Sequence, residues 1–286
     1  METRQDIQLF GRHSRPLIQF LSYCTDPFLP GLTTNEEACR FFIMELGIEL
    51  VGKDGMWKTY SGLDENEKKK LVSGIYVYGK KSGIPEFILK RLVGEVYELK
   101  KEQENTETKD AKEFATMLNA CGRHEQDEIG IKVAMGDRGE YFRKARTLLQ
   151  NHRKMLRDGI EWAQKKGAKE MGSIYVLDCG NAIKDTIVGT IAGMLYGAQV
   201  IRQDKPIVAL SIDDEGKAKI SGRATWALVR AGLDLGKAMR FSAEKVSGVG
   251  GGHVIAAGAN IAPEKTDEFL KFFDEEVGRQ MKAGKG

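Results

Sequence analysis

The segment Gly248-Val249-Gly250-Gly251-Gly252-His253-Val254-Ile255-Ala256-Ala257-Gly258 gathers the residue types that recognition of an anion requires. Glycine enters positive φ with no Cβ penalty, so three in succession can turn several backbone N–H groups toward one phosphate. A histidine directly after them can add a hydrogen bond to a phosphate oxygen. The competing reading of this stretch is a plain glycine-rich turn, and no G-K-[ST] closes it, so it is not a Walker loop. Upstream, Lys219-Ile220-Ser221-Gly222-Arg223 runs along a predicted strand to an arginine just past its end. The planar fork of an arginine can give a phosphate two parallel N–H bonds, and Ser221 adds a hydroxyl. An exposed arginine paired with an acid such as Asp213 is the alternative there. The four histidines, His13, His124, His152 and His253, are neither adjacent to one another nor in a D-x-D setting. Two-metal hydrolysis needs such clusters, so no metal ligand, cofactor or catalytic residue is assigned to this chain, beyond His253 as an auxiliary phosphate contact.

The elements that position these residues follow from periodicity. After Gly167 the texture is α/β: a strand over 173–178, a helix over 183–196 with G-x-x-x-G spacing, and a strand over 207–212. The Asp213-Asp214-Glu215-Gly216 turn then leads into a strand over 217–221. A helix over 233–246, the glycine-rich loop, a strand over 256–261 and a helix over 263–281 complete this part. The first half reads as helices. Thr33-Thr34-Asn35 caps one in which Ala38, Phe41, Phe42 and Leu46 recur at helical spacing, ending near Gly47. Two more are predicted over 65–78 and 85–99, the second striped by Ile88, Leu89, Leu92, Val96 and Leu99. Residues 100–109, without a strongly apolar side chain, read as an exposed loop. A long helix from Asp137 to about Lys166 opens on a D-x-x-E capping box. The fold class expected is therefore α/β (α+β), with a helical region over 1–136, a connecting helix over 137–167 and a small mixed-sheet α/β domain over 168–286. From Arg138 to Lys166 nine Lys and Arg stand against three acids, whereas the whole chain carries a net charge of only +3. Phosphate contact and an ordinary solvated face both account for that bias.

K-x-S-x-R on a strand, followed about thirty residues later by G-G-G-H-x-x-A-A-G, resembles the DHH-associated substrate-binding domain of RecJ-type phosphoesterases and alanyl-tRNA synthetase relatives. Leu118-Asn119-Ala120-Cys121-Gly122-Arg123 is similar to the L-N-A-x-G-R signature of RecJ nucleases; a helix end stopped by Gly122 is its structural alternative. Gln8-Leu9-Phe10-Gly11-Arg12, Arg15-Pro16-Leu17 and Thr25-Asp26-Pro27-Phe28-Leu29-Pro30-Gly31 resemble the linker region of archaeal RecJ-like proteins. The chain is thus similar to the C-terminal part of an archaeal RecJ-like single-stranded-DNA exonuclease of the DHH phosphoesterase family. That resemblance implies binding of single-stranded DNA or short RNA through Gly250, Gly251, Gly252, His253, Ser221, Arg223, Asn119 and Arg123. It also implies manganese or magnesium ions in a DHH domain expected to be missing here and supplied in cis or trans. A non-catalytic scaffold at the replication fork, with replisome proteins as partners, is a second reading, and a tRNA-editing binding domain a third.

Composition bounds these readings without choosing among them. At 286 residues there is length for two compact domains, and 44 basic against 41 acidic side chains do not by themselves call for a polyanionic partner. Four cysteines far apart, with no C-x-x-C, argue against zinc and disulfides and for a reducing setting. The apolar stretch over 186–196 is too short to cross a membrane, and the polar start lacks a signal-peptide core, so a cytoplasmic protein is expected.

Overall fold

A computed structural model describes residues 1–24, 27–197 and 200–284, so Thr25 and Asp26 of the linker motif lie outside the described residues. The chain divides into two compact units, Met1–Gln150 and Asn151–Gly286. Among the described residues it holds eleven α-helices, a two-stranded sheet and a mixed six-stranded sheet, an α/β arrangement of the α+β kind.

The first unit contains β1 (Glu2–Ile7), α1 (Leu17–Ser22), α2 (Glu36–Glu45), α3 (Glu65–Lys81), α4 (Glu86–Leu89), β2 (Val93–Glu98), α5 (Ala111–Arg123), α6 (Asp127–Ala134) and the first part of α7 (Glu140–Lys166). Capping chemistry sets several of these ends. Asn35 accepts from the Ala38 N–H, and Asp64 and Glu67 complete a reciprocal capping box at the start of α3. α2 buries Cys39 and Ile43 and leaves Phe41 59% exposed, so its inner face is rotated from the expected stripe.

The predicted helix over 85–99 is instead one turn, α4, and then strand β2. Val93–Glu98 pairs antiparallel with Glu2–Ile7 in the register Glu2↔Glu98 to Ile7↔Val93. Leu89, Leu92 and Val96 are buried as the stripe requires, but β-branched Val93 and Val96 with Gly94 between them favour an extended backbone once a partner strand is present. The loop over 100–109 also differs from expectation, because Glu107, Thr108 and Lys109 are buried. Asp137 caps α7 by accepting from Gly139 and Phe142 N–H groups, so that helix starts three residues later than expected, at Glu140.

The second unit holds the rest of α7, β3 (Lys169–Glu170), β4 (Tyr175–Asp178), α8 (Asp185–Gly197), β5 (Ile207–Ile212), β6 (Ala218–Arg223), α9 (Trp226–Arg230), α10 (Leu235–Lys245), β7 (Val249–His253), β8 (Ala256–Ile261) and, after a 3₁₀ turn, α11 (Thr266–Ala283). Strand order is β3-β4-β5-β6-β8-β7, with β4 and β5 parallel and all other neighbours antiparallel. β5 is apolar from Ile207 to Leu210 because it is covered on both faces, one core lying around Ile207, Ala209 and Ile191 and the other around Val208, Leu210 and Phe273. β6 alternates instead: Ala218, Ile220 and Gly222 are buried while Lys219, Ser221 and Arg223 are partly open. The glycine-rich stretch expected as a loop is the edge strand β7. Glycines carry no side-chain period, and only the pairing of Val249–His253 with Ala256–Asn260 defines the strand.

No described helix is long and apolar enough to cross a membrane. All four cysteines are reduced and buried; burial pushes the Cys39 and Cys179 thiols up to about 12, which makes them packing groups rather than nucleophiles.

Candidate functional site

Sheet register brings four of the eight expected residues, Ser221, Arg223, Gly251 and His253, onto one face of the sheet, with Gly250 and Gly252 beside them on β7. Ser221 on β6 stands opposite Gly258 on β8, and Gly258 opposite Gly251 on β7. One row along, Arg223 stands opposite Ala256 and Ala256 opposite His253. Adjacent strands lie about 4.8 Å apart, so the two flanks of the patch are roughly 10 Å apart. Between them β8 offers only a methyl group at Ala256 and a hydrogen at Gly258, while Ala257, Ala259 and Ile261 are buried beneath. The result is a shallow trough with a cation and a hydroxyl on one bank and Gly251 and an imidazole on the other. His253 and Gly252 are exposed, and Arg223 and Ser221 are partly so.

Each glycine of β7 is required for its own reason. Gly251 and Gly252 have φ of +152° and +141°, which L side chains rarely adopt. A Cβ on Gly252 would also lie 2.7 Å from the Ala256 carbonyl oxygen and 2.7 Å from the Ala257 Cα. Gly250 lacks a positive φ, but its Cβ would meet the Met239 carbonyl oxygen at 2.8 Å, so α10 can approach only a bare backbone there.

The other bank depends on α8. A Cβ on Gly189 would stand 2.6 Å from Arg223 Nη2 and 3.0 Å from Ser221 Oγ, and one on Gly193 would lie 3.6 Å from Arg223 Nε. The G-x-x-x-G spacing is therefore a slot in the helix surface that receives the arginine. Lys219, first residue of K-x-S-x-R, is held by Asp185 at 3.1 Å. Asp213 follows the far end of the β5–β6 hairpin, where Ile212 pairs with Ala218, whereas Arg223 pairs with Ile207. A six-residue strand spans about 17 Å, which separates that acid from this arginine.

Asn119 and Arg123 belong to the first unit. They are exposed one turn apart on α5, which continues through Gly122 and ends at His124, with Glu125 taking the positive φ that follows. The helix-stop reading of Gly122 is thus replaced by a glycine on the same open face as its two neighbours. α5 is anchored by Asp110, whose Oδ1 accepts from the Lys112 and Glu113 N–H groups and whose Oδ2 accepts from Arg12 Nη2 at 2.5 Å and Nε at 3.1 Å. Arg12, only 1% exposed, also reaches Asp6 at 3.1 Å and Glu98 at 3.2 Å. Burial pushes the Glu98 carboxyl up, but the hydrogen bond from His13 and the charges of Arg4 and Arg12 outweigh it and hold it below the usual carboxylate range. Glu113 is shifted the other way, raised by burial despite accepting from the His13 N–H. Arg138, just before the basic helix, and Lys144 and Arg146 within it are held by Glu102, Glu140 and Glu107, so part of this segment's charge is spent on structure. Lys154, Arg157, Lys165 and Lys166 are exposed.

Three residues lining the β7–β8 turn escaped sequence reasoning: Trp226, Lys237 and Arg240. No motif covers them, and only the packing of α9 and α10 on the hairpin brings them there.

Comparison with known proteins agrees with this division. Residues 9–93 match the DHH-CID domain, and residues 172–279 match the DHHA1 domain. "Uncharacterized protein MJ0831" of Methanocaldococcus jannaschii is 31% identical over 263 residues, covering 92% of this chain and 52% of that protein. The chain thus spans about half the length of the curated relative it matches. Among solved structures, CDC45 from Entamoeba histolytica superposes with a TM-score of 0.58 at 13% identity, over 96% of this chain and 58% of that one. RecJ of Thermus thermophilus in complex with Mn2+ gives a TM-score of 0.46 at 19% identity, over 59% of this chain and 24% of that one. With a DHH-CID domain in its first unit and a DHHA1 domain in its second, the chain is a DHH-family protein.

Proposed function

We propose that this chain is the nucleic-acid-binding portion of a RecJ-like, metal-dependent exonuclease of the cytoplasm, and that it holds single-stranded DNA or short RNA by the phosphate backbone. One observation carries the reading: the register that sets Ser221 and Arg223 on one bank of β8 and Gly251 and His253 on the other. A backbone laid in that trough meets a bidentate guanidinium donor on one side and an imidazole on the other, with no bulky side chain between. Asn119 and Arg123 of the first unit are further nucleic-acid contacts in this scheme, and replisome proteins are further partners.

Manganese or magnesium would belong to a phosphoesterase domain acting in cis or trans. Among the described residues no group of three or more His, Cys, Asp or Glu could hold a metal ion, so no step is assigned to such an ion on this chain.

Backbone recognition releases counterions, and for single strands log K falls by about 0.7 per phosphate contact for each log unit of salt. Two or more contacts therefore predict a slope of about −1.4 or steeper in a fluorescence-anisotropy titration with labelled oligothymidylate. A flat response would remove the phosphate reading and leave the scaffold one.

A further inference from the structure

The trough accounts for phosphates but leaves unexplained an indole beside it. Trp226 is 58% exposed at the start of α9, although burying an aromatic ring of that size is strongly favourable. Its position is fixed. Thr225 caps α9 by accepting from the Leu228 N–H, and the Ala224 N–H donates to the Ile255 carbonyl at the β7–β8 turn. On the other side the Leu235 N–H donates to Val254, and α10 comes so close that a Cβ on Gly236 would stand 2.4 Å from the Gly252 carbonyl oxygen. The two helices and the hairpin thus enclose an open cavity of about 620 Å³, with Trp226 in its wall together with His253, Lys237 and Arg240. Arg240 reaches the glycine strand itself, its Nη2 lying 3.6 Å from where a Gly251 Cβ would be. Lys237 is steered by Asp234 at 3.3 Å.

We infer that this cavity is a nucleobase pocket, in which Trp226 stacks on the base of the nucleotide whose phosphate lies at His253, with Arg240 and Lys237 on its flanking phosphate. The inference rests on the proposed backbone-binding role of the trough and adds to it a contact with the base. A flat aromatic beside cations is how single strands are held without sequence preference, since every base offers a π-face.

Two probes separate the claims: a labelled oligothymidylate and an abasic deoxyribose-phosphate chain of equal length, each titrated by anisotropy. Trp226→Ala should weaken the oligothymidylate roughly five- to a hundredfold, the range for loss of one base–aromatic stack. It should leave the abasic chain unchanged, and Trp226→Phe should restore most of the loss. Arg223→Ala, which tests the trough, should weaken both probes. Unaltered oligothymidylate binding by Trp226→Ala, at an unchanged thermal midpoint, would overturn the pocket while leaving the trough standing. Equal loss on both probes would overturn it too, by showing that the indole serves structure. Failure of the wild-type protein to bind either probe would overturn the trough, and the pocket with it.

Discussion

Replacing Arg12 with methionine is expected to destabilise the first unit by about 3–5 kcal/mol, because it leaves the buried Asp110 carboxylate without its cation and takes from Asp6 and Glu98 one of the two arginines that hold them. Arg12 is 1% exposed and joins β1 through Asp6, β2 through Glu98 and the start of α5 through Asp110. Tyr60 donates to the remaining Asp6 oxygen, and burial pushes its phenol far above its ordinary range. Methionine fills much of the space but returns three carboxylates to an enclosed site without their fork of donors. Arg12→Lys should lie between the two, since a single ammonium cannot satisfy all three acids. Acid unfolding gives a second readout. Glu98 has a lowered folded pKa, so it contributes stability that is present above its unfolded pKa of about 4.3 and is lost as pH falls through the lower folded value. Without the Arg12 charge that folded value rises, and the acid limb of the stability curve should move to higher pH. Urea midpoints across pH for wild type and Arg12→Met check both effects, and coincident curves would contradict them.

The second large effect lies in β7. Gly252→Ala should cost about 1–3 kcal/mol for the strained φ, and a comparable amount for overpacking against backbone atoms that cannot turn aside. The Cβ would stand 2.7 Å from both the Ala256 carbonyl oxygen and the Ala257 Cα, so the β7–β8 pairing must open to admit it. Binding of single strands should fall together with the urea midpoint, because the same pairing positions His253 opposite Ala256. A full-stability, full-affinity Gly252→Ala protein would show that the hairpin is not held as described.

Legibility of the fold tracked whether an element's neighbours are written in its own residues. β5 and β8 are readable at their observed ends because an apolar run broken only by Ser211 and a small-residue alternation are local signals. β2 was not: Ile88, Leu89, Leu92, Val96 and Leu99 imitate a helical stripe, and the deciding fact is its partner β1 at the other end of the unit. β7 reads as a loop for a related reason, since glycines hide the period that marks a strand. α2 shows the limit of spacing alone, with Phe41 outside and Cys39 inside. Of the candidate site, motif spacing could name Ser221, Arg223, Gly250 to Gly252 and His253 but not relate them. The relation comes from β8, which lies between β6 and β7 although it follows both in the chain. Gly189 illustrates the same point: the G-x-x-x-G spacing is visible in the sequence, but its use, to make room for Arg223, is not.

In the proposed mode of binding, the two banks of the trough hold one phosphate backbone. The measurement is the affinity of labelled oligothymidylate for wild type, Arg223→Ala, His253→Ala and the double variant, each with its thermal midpoint. A hydrogen bond to a charged group is worth about 1.5–3 kcal/mol, so each single variant should bind roughly ten- to a hundredfold more weakly at a nearly unchanged midpoint. The double variant should also lose part of the salt dependence. Wild-type affinity in both single variants, or a loss of binding that only follows a loss of stability, would contradict the claim that this sheet face binds nucleic acid.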